Sequence, residues 1–420
     1  MKVRTIPKIE TLSALYESNY RLLWFAQASS SIGRSMRVFI RSYLVYEITN
    51  STIWLGAVNA SLAFPMLFLP FLGGVMADRV DRRKLMLVTE SALVLLWAIV
   101  SVAILMKMPR LEWVLVLSSL VSGIVQSFGR PARQALVPNV VSKENLMNAI
   151  ALDAIAQRGA TVLAPALGGV LIAMTSAGIG FSFATFLQAM AVLCILLMKW
   201  ENKIPIQVRQ STYNSLIEGL NHIRRDRIIL GVIAMGASSS LFAGAYHSFL
   251  PAIAKDVLNV GPQGLGLLLT AGGVGAITGG LVMASIGSFK HKGALQLAAG
   301  MLYASLLLVL AQSTSFYLSL MTMAIVSVMT VSFGTVNDTI LQLIAPECLR
   351  GRIMGTRLFI WGLAPFGVLP MGIVAEVFGV PFAVTLGAML YATAIVTIAF
   401  LIPELRHFRS DQHSVSQSSH

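Results

Sequence analysis

The chain has 420 residues, of which 56% are hydrophobic and 12% are charged, and its mean hydropathy is +0.77. Soluble domains carry about 25% charged residues, so this composition excludes an ordinary soluble protein and indicates a membrane protein. The two cysteines provide neither a disulfide framework nor a metal cluster.

Apolar stretches long enough to cross a membrane follow one another along the chain. A membrane helix needs about 20 mostly apolar residues. Twelve stretches meet this requirement, at 22–48, 53–77, 85–107, 111–130, 147–173, 178–199, 229–255, 264–286, 293–312, 315–338, 353–376 and 380–402. The sequence therefore predicts an all-α integral membrane protein with twelve transmembrane helices.

The net charge of +13 is explained by the positions of the basic residues. When the N-terminus is placed in the cytoplasm, 24 of the 31 Lys and Arg residues lie on the cytoplasmic side, three on the outer side and four within spans. This bias follows the positive-inside rule and predicts a multi-pass inner-membrane protein with both termini cytoplasmic. The basic excess is assigned to topology and to anionic lipid headgroups, so nucleic acid is not predicted as a partner.

The first predicted span carries three arginines, Arg34, Arg37 and Arg41. Their spacing of three and four residues puts them on one helical face. An arginine at bilayer depth costs at least about 2.5–3.5 kcal/mol and normally faces a wet cavity or a partner. We therefore expect a positively charged vestibule for an anionic or carboxylate-bearing substrate, which Arg158 in the fifth span joins.

Other polar residues within the spans bear on this hypothesis. Gln27 and Asn59 are further candidate contacts for the substrate. The alternative hypothesis is that the arginines form internal ion pairs that only hold helices together. The carboxylates available for such pairs are Glu47, Asp153, Asp338 and Glu376.

Short motifs recur in the two halves of the chain. The matches follow the same order in both halves and are 29–32 with 238–241, 73–74 with 279–280, 127–129 with 332–334, and 163–165 with 363–365. They predict a duplicated six-span unit in which both copies have the same orientation, as in one large class of transporters.

The duplication also predicts the domain boundaries. They are an N-terminal six-helix bundle at 1–199, a cytoplasmic linker at 200–228 with an amphipathic surface helix at 213–225, a C-terminal six-helix bundle at 229–403, and a disordered polar tail at 404–420.

The segment after the second predicted span combines a glycine with alternating acidic and basic residues. Its members are Gly74, Asp78, Arg79, Asp81, Arg82 and Arg83. This motif resembles the cytoplasmic signature loop of the major facilitator superfamily, and the segment 130–138 resembles the superfamily's branch of enterobactin exporters and macrolide-type efflux proteins. The resemblance implies a two-state cytoplasmic gate at the signature loop. The alternative is that the loop merely anchors the topology.

A second resemblance lies in the fifth span. Pro165, Gly168 and Gly169 resemble the antiporter motif of the superfamily, although Ala164 replaces its first glycine. A proline kink among small residues allows helices to pack closely and to rock against each other. The resemblance therefore implies a secondary active transporter that works by proton-coupled alternating access, and ordinary tight packing is the alternative.

Proton coupling requires a carboxylate whose protonation state changes near neutral pH. The candidates are Asp153, near the inner end of the fifth span, and Glu47, at the outer end of the first. Glu90, Asp338 and Glu376 lie near predicted span ends, where we expect them to be solvated or structural.

Together these features predict a monomeric exporter of a small amphipathic or anionic compound, drug- or siderophore-like, with protons and membrane lipid as partners and without a cofactor. Two alternatives remain open: a lysophospholipid or lipid flippase on the same fold, and a non-transporting sensor or assembly partner. An enzyme is not predicted, because the sequence contains no nucleotide-binding, zinc or catalytic-triad motif.

Overall fold

The protein is helical throughout the part of the chain that the computed structural model describes. These residues are 10–69, 73, 74, 76, 79–199, 226–286, 289–345, 360 and 362–408. The helices of the first half are α1 Ser18–Thr49, α2 Thr52–Phe68, α3 Arg82–Leu105, α4 Leu111–Val140, α5 Leu146–Met174 and α6 Ala177–Leu197. Those of the second half are α7 Arg227–Val257, α8 Pro262–Ser285, α9 Lys292–Gln312, α10 Phe316–Ile344, α11 Ala364–Phe378, α12 Val380–Leu401 and the short α13 Pro403–Arg406.

Local sequence signals explain where several helices begin. The carboxylate of Asp81 accepts a hydrogen bond of 2.9 Å from the backbone N–H of Lys84 and so caps α3. Asp226 caps α7 in the same way. Pro262 occupies the first turn of α8, where its missing N–H costs no hydrogen bond.

The prediction of an all-α membrane protein is confirmed. Among the described helices, nine are long and apolar enough to cross a membrane, and the shorter α2 and α11 are also apolar. The 32-residue α1 has the length of a span, but its arginines make it more polar than the others.

Two helices differ from their predicted form. α4 ends at Val140 rather than at 130, because the helix continues through Pro131 and Pro138. Proline breaks most isolated helices, but neighbouring helices in a membrane bundle satisfy the freed backbone groups. α7 contains two π-helical segments, Ser239–Ala243 and Ile253–Val257, which are wider turns within an otherwise α-helical span.

The chain forms two compact units. One contains residues 1–45 and 64–207, and the other contains 46–63 and 208–420. Within the first unit, α3 packs against α4 and α6; within the second, α9 packs against α10 and α12. The third helix of each half therefore has the same helical neighbours, the fourth and sixth of that half.

Paired glycines occupy matching positions in the two units. A Cβ atom on Gly73 would lie 2.2 Å from the carbonyl oxygen of Ser127 in α4, and one on Gly279 would lie 2.9 Å from a carbonyl oxygen in α10. A Cβ atom on Gly74 or on Gly280 would meet nothing within 4 Å. In both units the first glycine of the pair thus allows close approach of two helices.

Several predictions concern residues beyond the described part of the chain: the amphipathic linker helix at 213–225, the residue Asp78, and most of the polar tail. The start of the tail needs correction. Residues 404–408 are packed rather than disordered, since Leu405 and Phe408 are 0% and 3% exposed and the backbone N–H of Gly293 donates to the Phe408 carbonyl.

Candidate functional site

A polar cavity lies within the first unit. Its charged and polar lining comes from α1, α3, α4 and α6, and consists of Ser30, Arg34, Arg37, Thr89, Glu90, Gln126, Arg130, Arg133 and Gln188. Four of these side chains are guanidinium groups and one is a carboxylate. The cavity therefore has an excess of positive charge.

Close packing of α1 on α6 positions the first two arginines. A Cβ atom on Gly33 would lie 2.7 Å from the carbonyl oxygen of Ala184, so only glycine permits this approach. One turn later, Arg37 Nη1 donates a hydrogen bond of 2.8 Å to the same carbonyl oxygen. A backbone carbonyl that is already used within its own helix thus becomes an anchor for the guanidinium.

Arg37 is held firmly inside the first unit. Its side chain is 3% exposed, its Nη2 donates a hydrogen bond of 2.6 Å to Gln188 Oε1, and its guanidinium lies 5.3 Å from the centre of the Trp97 ring. A guanidinium over an indole ring gains cation–π stabilisation. Arg37 is therefore both a charge of the cavity and a structural part of its wall.

Glu90 supplies the negative charge of the cavity. Its carboxylate, in a residue that is 5% exposed, forms a salt bridge with Arg133 and accepts a hydrogen bond from the side-chain amide of Gln188. Arg133 also donates to Gln27 Oε1. These contacts link α1, α3, α4 and α6 through one continuous polar network.

The buried position of Glu90 excludes the solvated alternative and agrees with the structural one, although the residue lies further from the helix end than expected. It lies eight residues, or about 12 Å, from the start of α3. The apolar run seemed to begin at Leu85, whereas the helix begins three residues earlier, and the partners that bury Glu90 come from other helices. Only tertiary contacts could place it in the cavity.

The fourth span is predicted to end at residue 130, and neither Arg130 nor Arg133 is predicted to be a site residue. Because α4 continues past Pro131, both residues are helical, and their i, i+3 spacing puts them on one face of α4. That spacing was readable from the sequence, but the prolines argued against a helix there.

Arg34 is the less constrained of the two α1 arginines in the cavity. It is half-buried, and its Nη2 donates a hydrogen bond of 3.3 Å to Ser31 Oγ. No carboxylate among the described residues forms an ion pair with it. The positive charges of Arg130 and Arg133 oppose its own, and the negative charge of Glu90 favours it less strongly. This side chain is thus available to an incoming anion.

The structure separates other predicted contacts from this cavity. Arg41 is 1% exposed and lies outside it, and its Nε and Nη2 have no hydrogen-bond partner among the described residues. Arg158 is exposed on α5. Asn59 belongs to the portion of α2 in the second unit. Gln27 reaches the network through Arg133.

Three of the four carboxylates named as possible partners of the arginines have other contacts. The Tyr20 hydroxyl lies 3.4 Å from Asp153 Oδ1, which joins α1 to α5. Glu47 is exposed, with its Oε2 3.6 Å from Lys255 Nζ. Glu376 caps the start of α2 by accepting a hydrogen bond of 2.6 Å from the backbone N–H of Thr52. The expectation that Glu376 is structural agrees with this contact.

Comparison with known proteins decides the family. The family model described as transmembrane secretion effector matches residues 9–419. The chain belongs to this family. Among curated proteins, the enterobactin exporter EntS of Escherichia coli (strain K12) is 25% identical to this secretion effector over 405 residues, which are 95% of each chain.

Solved structures show that the secretion effector has the major facilitator fold. The nucleoside transporter NupG matches with a TM-score of 0.74 at 14% identity, covering 92% of this chain and 98% of its own. A peptide transporter POT in complex with sulfate matches with a TM-score of 0.72 at 11% identity, covering 96% and 100%. The family match and the fold are those of multi-pass membrane transporters and not of enzymes.

The signature motif of the secretion effector contributes two structural contacts. Besides the cap that Asp81 forms, Arg83 donates hydrogen bonds of 3.1 and 2.8 Å to the carbonyl oxygens of Ile195 and Leu196. These carbonyls lie in the last turn of α6, where a cation interacts favourably with the helix dipole. Arg79 is exposed, and Arg82 begins α3.

The motif in the fifth helix lies against α1. Pro165, Gly168 and Gly169 are buried within the unbroken α5. A Cβ atom on Gly168 would lie 2.8 Å from the ring of Phe39, so this glycine allows α5 to approach α1 closely. The contact fits the packing alternative, and an antiporter role for the motif stays a prediction.

Proposed function

We propose that this secretion effector exports a small anionic or amphipathic compound, drug- or siderophore-like, by proton-coupled alternating access. The observation that carries the proposal is the cavity of the first unit, where four guanidinium groups face one carboxylate. Membrane proteins rarely bury such a charge excess unless it meets a ligand or water. The outward direction is supported by the relative named as an enterobactin exporter.

Arg34 and Arg37 are the proposed anion-binding residues. Arg37 is oriented by its contacts with Ala184 and Gln188, and Arg34 keeps most of its donors unused. A guanidinium binds a carboxylate through two parallel hydrogen bonds, which favours planar anionic groups. The site thus combines one fixed donor with one adjustable donor.

Asp153 is the preferred candidate for proton coupling. It is half-buried, and its contact with Tyr20 connects α5 to α1, the helix that carries the arginines. Glu47 is the weaker candidate because it is exposed beside Lys255. We expect Asp153→Asn to abolish the response of flux to a pH gradient, with the exposed Glu144→Gln as the control. Retained pH dependence in Asp153→Asn would exclude it as the coupling residue.

The proposed setting is the inner membrane, with both termini in the cytoplasm and the chain acting as a monomer. Two six-helix domains at 1–199 and 229–403 would move against each other. Labelling of single introduced cysteines from either side of sealed vesicles tests the orientation, and labelling of the termini only from outside the cell would refute it.

Flux measurements test the proposed function directly. Purified protein is reconstituted in liposomes with an imposed pH gradient, and a size-matched panel of anionic, neutral and cationic aromatic compounds is offered. We expect anions to be moved and cations to be excluded by the positive cavity. Preferential flux of cations, or of lysophospholipids alone, would contradict the proposal.

A further inference from the structure

The four arginines of the cavity fall into two pairs with different surroundings. Arg37 and Arg133 interact with other residues of the protein. Arg37 donates hydrogen bonds to Ala184 and Gln188, and Arg133 forms a salt bridge with Glu90. For Arg34 and Arg130, the described residues include no carboxylate in ion-pair contact. The cavity thus has an inner, internally bonded pair and an outer, open pair.

Glu90 makes its direct contacts within the inner pair's network, and its charge also favours that of Arg34 without an ion pair. One carboxylate oxygen of Glu90 forms the salt bridge with Arg133. The other accepts a hydrogen bond from the side-chain amide nitrogen of Gln188, whose amide oxygen accepts a hydrogen bond from Arg37. The charge of Glu90 also favours that of Arg37. Since both oxygens are engaged, Glu90 is not free to move toward the outer pair without breaking the network.

An excess of three positive charges therefore remains in the cavity when it is empty. Glu90 favours the charges of both α1 arginines, but Arg130 and Arg133 oppose that of Arg34, and Arg34 and Arg41 oppose that of Arg37. Repulsion of this kind is strong where water is partly excluded. A ligand with one negative charge would leave most of the repulsion in place, whereas a ligand with two or three would remove it.

We propose that the cavity selects compounds with two or more negatively charged groups, and that Glu90 sets this number by neutralising one of the four guanidinium groups. The proposal rests on the proposed function, since it specifies the substrate class of the same site.

A series of benzene carboxylates tests the selection by charge number. Benzoate, phthalate and trimesate share one ring and carry one, two and three carboxylates. Binding of each to the full-length protein in nanodiscs is measured at pH 7.5 and constant ionic strength. We expect the dissociation constant to fall about tenfold with each added carboxylate, as for one charge-assisted hydrogen bond.

Two substitutions change the charge of the cavity in opposite directions. Glu90→Gln keeps hydrogen-bonding atoms but raises the excess to four, so the preference for trimesate over benzoate should increase about tenfold. Arg130→Gln, at an exposed position, lowers the excess to two and should reduce that preference by a similar factor. Lys143→Gln, an exposed position outside the cavity, is the matched control.

The outcomes separate this inference from the proposed function. Equal affinities across the series, no binding of any member, or an unchanged preference in both Glu90→Gln and Arg130→Gln would overturn the selection by charge number. If such a result accompanies anion flux that still depends on Arg34, the proposed function stands and only the inference fails. Anion flux that is indifferent to Arg34 would instead refute the proposed function.

Discussion

The substitution Arg34→Gln isolates ligand binding from folding. The residue is half-buried and loses only its hydrogen bond of 3.3 Å to Ser31 Oγ. A bond of that length contributes little, about 1 kcal/mol, and removing the charge relieves the repulsion from Arg130 and Arg133, which outweighs the lost attraction to Glu90. We therefore expect the unfolding midpoint in detergent to stay within about 2 °C of the original value.

Arg34→Gln should change the affinity for an anion much more than it changes the stability of the fold. A hydrogen bond between a guanidinium and a carboxylate contributes about 1.5–3 kcal/mol. Its loss raises the dissociation constant about 10- to 150-fold, at about 1.4 kcal/mol for each factor of ten. The assay is competition binding in nanodiscs together with flux in liposomes, with Lys143→Gln as the control for a change of one surface charge.

Two results for Arg34→Gln would contradict a role of this guanidinium in anion binding. If Arg34→Gln binds and moves anions as well as the original protein does, the half-buried guanidinium does not contact the ligand. If the unfolding midpoint falls by much more than the control's, Arg34 is a structural residue and the ion-pairing hypothesis from the sequence regains support. Loss of affinity with retained stability is the result that the geometry predicts.

Four further predictions rest on other contacts. Arg37→Met should lower the unfolding midpoint as well as abolish flux, because it leaves the buried Gln188 Oε1 without its donor at a cost of about 1–3 kcal/mol. An unchanged midpoint in a thermal melt would contradict this. Arg83→Gln should reduce stability modestly and leave anion affinity intact, because it removes a helix cap outside the cavity; altered affinity in nanodiscs would argue against a purely structural cap. Gly73→Ala should sharply lower the yield of folded protein in size-exclusion chromatography, whereas Gly74→Ala should not, since only the first added Cβ would strike a backbone carbonyl. Burial raises the pKa of Glu17, but hydrogen bonds from the loop before α5 outweigh this effect and lower the pKa below 4.5. The contact therefore stabilises the protein above pH 4.5, and this stabilisation is lost as the pH falls through the depressed pKa. Hydrogen exchange of the loop should show this acid sensitivity, and Glu17→Gln should remove it.

Features that depend on local periodicity were readable from the sequence. The number and order of the apolar spans, the single face shared by Arg34, Arg37 and Arg41, and the glycine pairs of the two halves all follow from spacing along one helix. The resemblance in the signature loop pointed to the major facilitator superfamily, and the match to transmembrane secretion effectors agrees with it. None of these inferences needed two distant segments to be brought together.

The membership of the cavity was decided by tertiary structure. Glu90 and Arg133 lie on different helices, and only the packing of α3 against α4 and α6 makes them a pair. The helical state of Arg133 itself depends on α4 continuing past Pro131, which local propensity disfavours and neighbouring helices permit. The sequence by itself determined that positive charge is buried in this membrane protein. Tertiary structure decided which of those charges meet at one cavity and which carboxylate faces them, because electrostatic interactions depend on distances in space and not on positions along the chain.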